Sequence, residues 1–159
     1  MTFYKKKKNI YIYMPKREFL FLTKLLHILI KNGKKAQALK VFLLLIKNLK
    51  NQNLNGLSAT EVIYRALINA RPLIHTKKVR RSSKIFYLPK LISTEKRINI
   101  ALHWILKSVN NRKEKKLEDR LTNEFMDCFF SKGSTILKKQ NLYDTIIVNR
   151  PFLHLLVYK

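Results

Sequence analysis

Apolar residues recur every three or four positions in two stretches that flank the sequence Asn-Gly-Lys-Lys. This spacing is typical of one face of an α-helix. The first stretch predicts a helix from Phe19 to about Lys31 that ends at Gly33. The second predicts a helix from near Lys34 to about Lys50. The expected inward residues are Leu22, Leu25, Leu26, Leu29 and Ile30 in the first helix and Ala38, Val41, Phe42, Leu45, Ile46 and Leu49 in the second.

A capping motif marks the start of a third helix. Ser58 is a good N-cap, and Glu61 stands three residues later, where the second member of a capping box is expected. Its apolar face comprises Val62, Ile63, Ala66 and Leu67. Arg71-Pro72 then ends the helix, because the residue before a proline is biased away from helical backbone angles.

Between Pro72 and Pro89 the pattern changes to short β-branched and aromatic runs on either side of a basic centre. This pattern predicts a two-stranded ribbon over about residues 73–88 with its tip near Arg81 to Lys84. Two isolated strands are marginally stable in water, so we expect the ribbon to lean on the body or on a partner.

Helical spacing returns after the ribbon in three further stretches. They predict helices from about Thr94 to the sequence NNRKEKK, from about Lys115 to Phe130, and from about Ser134 to Asn149, where Pro151 follows. The fold class is therefore mainly α: a single-domain bundle of six helices with a protruding basic β-ribbon between helices three and four. A basic arm over residues 1–15 precedes the helical domain of residues 16–154, and residues 155–159 form a tail.

The charge balance changes the functional picture. The chain of 159 residues carries 34 Lys and Arg against 9 Asp and Glu, a formal net charge of +25. Self-repulsion on this scale favours an anionic partner, and a polyphosphate gains further from the release of counterions. Nucleic acid is the leading partner and an anionic membrane surface the next. The longest apolar stretches fall short of the roughly 20 residues of a transmembrane helix, and we find no secretory signal.

Catalysis and metal binding have little support in the sequence. Cys128 is the only cysteine, and it forms no set with His27, His75, His103 and His154 at the spacing of metal ligands. We expect His27 and His103 to pack on or beside apolar helix faces, Trp104 to anchor the core or an interface, and Cys128 to be buried. The acids of the fifth helix are expected to pair with Lys or Arg at helical spacing. No cofactor and no enzymatic activity are predicted.

Cationic clusters fall where the backbone changes direction, and this placement distinguishes them from a surface of mixed sign. Folded RNA, which proteins bind largely through shape and phosphates, suits such a dispersed basic surface. The candidate RNA-binding residues are Lys5, Lys6, Lys7, Lys8, Lys16, Arg17, Lys34, Lys35, Lys77, Lys78, Arg80, Arg81, Lys84, Lys96, Arg97, Arg112, Lys113, Lys115, Lys116, Lys138 and Lys139.

The order of these elements resembles the small-subunit ribosomal protein seven family. The sequence LLHILIKNGKKAQALKVF is similar to the family's helix, Gly-Lys-Lys turn and helix, and NARP at 69–72 to the lead into its ribbon, with Pro89 at the exit. Residues 101–154 resemble the family's last three helices. The matching positions there are Trp104, Arg112, Arg120, Leu121, Asn123, Glu124, Asp127, Lys132, Gly133, Lys138, Lys139, Asn149, Arg150, Phe152 and His154.

The resemblance implies a structural protein without enzymatic activity that binds the 3′ major domain of small-subunit ribosomal RNA and helps to assemble the head of the subunit. It also implies that the ribbon, with Arg80, Arg81, Ser82, Ser83 and Lys84, lies near the exit-site transfer RNA and the messenger RNA. Neighbouring head proteins and small-subunit protein eleven are the implied protein partners. Five positions in three places depart from the family pattern: the Ser82-Ser83 tip replaces a glycine pair, Met14 and Arg17 differ at the entry to the first helix, and Pro151 occupies a small-residue position.

Composition also indicates a source. Lys, Asn, Ile, Phe and Tyr are abundant and Gly, Ala and Pro are scarce, which is typical of AT-rich genomes. A mitochondrial ribosome is the favoured location and a plastid ribosome the second, while a bacterium of extreme composition stays open as the source. Two rival functions remain open at this point: a basic amphipathic protein on a membrane surface and a DNA-compacting protein.

Overall fold

A computed structural model describes residues 16–52, 56–81 and 83–152. The basic arm, Ser82, His154 and the C-terminal tail lie outside these residues, as do the side chains of Lys16, Arg17 and Arg81. The described part of the chain forms α1 (Lys16–Leu29), α2 (Lys35–Asn51), α3 (Ala59–Ala70), β1 (Ile74–Arg81), β2 (Lys84–Leu91), α4 (Thr94–Asn110), α5 (Leu117–Phe129) and α6 (Gly133–Val148). The predicted fold, with six helices and a ribbon after the third, is confirmed.

The helices pack their apolar stripes around α5, which contacts α2, α3, α4 and α6. Leu25, Leu45, Ile63, Leu102 and Phe125 come from five different helices, and each is fully buried in one continuous core. Because each fully buried residue of this size contributes about 1.5–3 kcal/mol, the shared core fixes how the helices sit relative to one another.

The helix ends follow the predicted chemistry with small shifts. α1 ends at Leu29, and Asn32 and Gly33 then adopt positive φ angles of 52° and 71° before α2 begins. The hydroxyl of Ser58 accepts a hydrogen bond of 3.1 Å from the amide of Glu61. The carboxylate of Glu61 pairs with Arg65, one helical turn later, at 2.6 Å.

The ribbon is a two-stranded antiparallel sheet whose last pair is Arg81 with Lys84, so its tip lies in the predicted segment. The strands continue beyond the expected end: Pro89 does not close the ribbon but pairs with Thr76 inside it. Both strands of a two-stranded sheet are edges, and an edge strand tolerates the missing N–H of proline.

The base of the ribbon packs against the helical domain. Leu88 is fully buried, and the rings of Phe86 and Phe152 lie 5.0 Å apart. The amide of Leu73 donates a hydrogen bond of 3.1 Å to the hydroxyl of Tyr143 on α6. α6 therefore supports the lead into the ribbon as well as the ribbon itself.

Several side-chain predictions need correction. His27 and His103 are exposed and do not pack on apolar faces. Among the acids of α5, Glu124 is buried and pairs with an arginine outside its own helix. Cys128 is buried, as expected. Of the helices in the described ranges, none is long and apolar enough to cross a membrane.

Candidate nucleic-acid interface

The turn between α1 and α2 exposes three lysines beside the start of a helix. Lys31, Lys34 and Lys35 are all exposed. The first turn of α2 contains no acidic residue, and the amides of Ala36 and Gln37 have no acceptor within the described part of the chain. Amides at a helix N-terminus attract phosphate oxygens. The turn thus combines positive side chains with oriented N–H donors.

The loop between α4 and α5 exposes a second group of lysines: Lys113, Lys115 and Lys116. Leu117, the first residue of α5, follows them directly and lines a shallow depression whose other walls include Lys31 and Lys34. The fold therefore brings the start of α5, directly after the loop, to a depression that the turn also lines. We name Lys31, Lys34, Lys35, Lys113, Lys115 and Lys116 the two-loop basic surface.

The ribbon carries its own cations. Lys77, Lys78, Arg80 and Lys84 are exposed, and so is Ser83 at the tip. The ammonium group of Lys78 lies 5.6 Å from the centre of the Tyr87 ring, which faces it across the strand pair. A cation over an aromatic ring on an exposed strand is a surface suited to phosphates and stacked bases.

At the start of α4 the two predicted residues differ in role. Lys96 is exposed. Arg97 is half-buried, and its Nε donates a hydrogen bond of 2.8 Å to the carbonyl of Ile92. Part of the guanidinium is therefore used to secure the end of the ribbon.

Arg112 turns inward. Its Nε donates to Glu124 at 2.7 Å and one terminal nitrogen to Glu114 at 3.2 Å, while the other contacts Asp127. Burial acts to lower the pKa of Arg112, but the hydrogen bonds that it donates to Glu124 and Asp127, together with their charges, outweigh burial and raise the pKa. A hydrogen bond from Asn123 and the proximity of Arg112 lower the pKa of Glu114. Both groups therefore stay charged at neutral pH.

A chain of hydroxyl groups continues from Glu124. The Thr135 hydroxyl donates to Glu124 at 2.6 Å and lies 2.9 Å from the hydroxyl of Ser108. Ser108 accepts in turn from Lys138 at 2.7 Å. Thr135 and Ser108 are buried, so these polar groups are satisfied inside the protein.

Lys138 and Lys139 also contact the protein itself. Lys139 donates to the main-chain carbonyl of Asn69 at 2.6 Å. Partial burial lowers the pKa of both lysines, helped by Lys107 for Lys138 and by Arg71 for Lys139. Arg112, Lys138 and Lys139 thus have intramolecular partners, and RNA contact by these three stays a prediction.

Sequence reasoning left out two exposed lysines that lie beside the candidate surfaces. Lys31 lines the depression of the two-loop basic surface, and Lys90 lies near the base of the ribbon. The position of Lys31 two residues before Gly33 was the signal that could have found it, since a residue at a helix end next to a positive-φ turn points away from the core. Within the described ranges, no group of His, Cys, Asp and Glu side chains is suited to a metal ion.

Comparison with known proteins identifies the family. Residues 2–149 match the model of the family described as ribosomal protein S7p/S5e. The chain is similar to small ribosomal subunit protein uS7 of Geotalea uraniireducens (strain Rf4), with 26% identity over 92% of this chain and 93% of the relative. It is similar to the proteins of the same name from Thermodesulfovibrio yellowstonii (27% identity; 89% and 95% covered) and Syntrophus aciditrophicus (27%; 92% and 93%). The chain therefore belongs to the ribosomal protein S7p/S5e family, which makes it a structural protein of the small ribosomal subunit and not an enzyme.

Proposed function

We propose that this protein binds the 3′ major domain of small-subunit ribosomal RNA and helps the head of the subunit to assemble. The two-loop basic surface is the observation that carries the proposal. It comprises six exposed lysines from two distant segments, and Lys31 and Lys34 of the first segment line one depression with Leu117, which directly follows the second. A surface that only keeps a protein soluble does not require lysines from distant segments to lie together. A folded RNA places phosphates at fixed positions on neighbouring backbone segments, and such a surface can contact several of them at once.

Electrostatics sets the strength and the salt dependence of this binding. Each lysine that neutralises a phosphate releases condensed counterions, so affinity falls as salt rises. The helix N-terminus at Lys35 adds donors that salt screens less, because they bind at short range. We expect tight binding at moderate ionic strength and a steep loss above it.

The ribbon is proposed to lie near the exit-site transfer RNA and the path of the messenger RNA. Its exposed cations and the Lys78–Tyr87 pair support contact with a nucleic-acid backbone and with unpaired bases. Exposed apolar residues at its base, Leu91 and Ile147 among them, support contact with neighbouring head proteins and with small-subunit protein eleven.

A mitochondrial ribosome is the proposed location, with a plastid ribosome as the second candidate. The richness in Lys, Asn, Ile, Phe and Tyr supports an AT-rich organellar genome, although the relatives named above are bacterial. Immunoprecipitation of the tagged protein from cells, followed by sequencing of the RNA that it carries, identifies the compartment. Recovery of organellar ribosomal RNA supports the proposal, and recovery of a bacterial ribosomal RNA from a bacterial source contradicts it.

A filter-binding titration tests the function directly. The full chain is titrated against a transcript of the lower 3′ major domain and, as a matched control, against a transcript of equal length from the 5′ domain. We expect clear preference for the first transcript at near-physiological salt. Equal affinity for the two would contradict specific ribosomal RNA binding. Flotation with anionic liposomes in the absence of RNA would instead favour the membrane-surface alternative.

A further inference from the structure

The loop between α4 and α5 alternates between inward and outward residues. Arg112 and Glu114 are half-buried, whereas Lys113, Lys115 and Lys116 are exposed. No helix or strand covers residues 111–116, so the direction of the three lysines depends on side-chain contacts.

Two tethers fasten this loop to α5. The first is Arg112, which contacts Glu124 and Asp127 on the helix and Glu114 in the loop. The second is Asn123 of α5, whose amide group donates to Glu114 at 3.0 Å. Glu114 therefore joins the two tethers, and Lys113 is held between them.

The contacts of Arg112 require a guanidinium. Three carboxylates approach it from different residues, and each of its three nitrogens serves one of them. The Glu124 carboxylate cannot turn away, because it is buried and also accepts from Thr135. A lysine carries the same charge on a single nitrogen and lacks the planar fork.

We propose that Arg112 is a positioning residue for RNA binding: it holds Lys113, Lys115 and Lys116 beside the turn that carries Lys34 and Lys35, and does not itself contact RNA. The inference rests on the proposed function and refines it. The side chain of Arg112 is 20% exposed, and three of the five N–H donors of a guanidinium are used within the protein.

Charge-preserving variants test the assignment. Arg112→Lys keeps the net charge, so long-range attraction to RNA is unchanged while the fork is lost. It is compared with the triple variant Lys113→Gln/Lys115→Gln/Lys116→Gln and with the combination of both. Arg65→Lys, which alters an exposed Arg–Glu pair on α3, is the matched control. Affinity for the 3′ major domain transcript and amide hydrogen exchange of residues 113–116 without RNA are measured for each.

We expect Arg112→Lys to raise the Kd about tenfold, equivalent to about 1.4 kcal/mol, and to speed exchange in the loop, while Arg65→Lys changes neither. In the triple-variant background Arg112→Lys should have no further effect on affinity, because the lysines through which it acts are gone. Asn123→Ala removes the second tether alone. It should lower the affinity for RNA by less than Arg112→Lys does, and it too should have no further effect in the triple-variant background.

Two results would overturn the inference: wild-type affinity and exchange in Arg112→Lys, or an undiminished loss of affinity in the triple-variant background, which indicates direct RNA contact. Should Arg112→Lys fail to fold, Asn123→Ala tests the inference instead, through the same measurements of affinity and amide exchange and the same comparison in the triple-variant background. Failure of the proposed function looks different. In that case the wild-type chain shows no preference for the 3′ major domain transcript, whatever the loop does.

Discussion

The ammonium group of Lys139 donates a hydrogen bond to the main-chain carbonyl of Asn69, 2.6 Å away. The side-chain amide of Asn69 in turn donates to the carbonyls of Cys128 and Phe129 at 3.1 and 3.0 Å. Asn69 thereby joins the end of α3 to the C-terminal turn of α5 and to α6. The ribbon begins five residues later, at Ile74, so this junction fixes the base from which it projects.

Replacing Asn69 by Ala removes both hydrogen bonds to the end of α5. Two carbonyls at a helix C-terminus lose a half-buried partner, and we expect the free energy of unfolding to fall by about 1–2 kcal/mol. Urea denaturation measures this loss, and faster amide exchange at Leu73 reports loosening of the ribbon base. Asn99→Ala, at an exposed position of α4, is the control and should leave stability equal or slightly higher. Equal losses in the two variants would contradict the role of Asn69.

The sequence was sufficient for the helices and the ribbon because their signals are local. Gly33 and the Ser58 cap mark helix ends within a few residues, and the change to alternating β-branched residues marks the strands. Pro89 was misjudged because its effect depends on which strand edge it faces. That is a property of the sheet and not of the segment.

The inward cations could not be predicted in this way. Arg112 pairs with residues 12 and 15 positions later, a spacing that corresponds to no helical turn, because a loop intervenes. The distinction between exposed Lys113 and inward Arg112 follows from three carboxylates that converge only once α5 has packed. The inward direction of Lys138 and Lys139 could not be predicted for the same reason, since their acceptors lie 30 and 70 residues away in sequence.

Reversing the charge of Lys34 and Lys35 to Glu should weaken binding to the 3′ major domain transcript. It should also lower the slope of log affinity against log salt by roughly 0.7 to 0.9 for each phosphate that the variant no longer neutralises. Filter binding over a series of salt concentrations measures both quantities. Lys47→Glu/Lys50→Glu makes the same charge change at the other end of α2, where both lysines are exposed. Identical slopes for the two variants would mean that the turn does not bind the RNA specifically.

Glu124→Gln should destabilise the protein strongly. The Glu124 side chain is 1% exposed and accepts hydrogen bonds from Arg112 and Thr135. Gln keeps one acceptor oxygen and replaces the other with an NH2 group, so one donor loses its buried acceptor at a cost of about 1–3 kcal/mol. Thermal and urea unfolding measure the difference from wild type. Glu61→Gln interrupts an ion pair with a 34% exposed carboxylate and should cost under about 0.5 kcal/mol. A similar small loss for Glu124→Gln would show that the Arg112 network contributes little to stability.

Because the thiol of Cys128 is buried, we expect the protein to lose stability in alkaline solution. Burial, with a smaller effect of the Glu124 charge, raises the pKa of its thiol from 9.0 to about 12. The folded protein therefore keeps the thiol proton over a range in which the unfolded chain loses it. This contribution to stability is complete below about pH 9 and falls as the pH rises towards 12, by up to about 1.4 kcal/mol for each pH unit.

Cys128→Ala separates this effect from the titration of other groups, because every lysine and tyrosine remains in the variant. Urea denaturation at pH 8 and at pH 10.5 gives the change in the free energy of unfolding for each protein. We expect the wild type to lose about 2 kcal/mol more than Cys128→Ala between these pH values. Since a buried protonated thiol is also a poor nucleophile, the folded wild type should react slowly with a thiol reagent at pH 8 and rapidly once unfolded. Parallel pH profiles for the two proteins would show that the folded state does not protect the thiol.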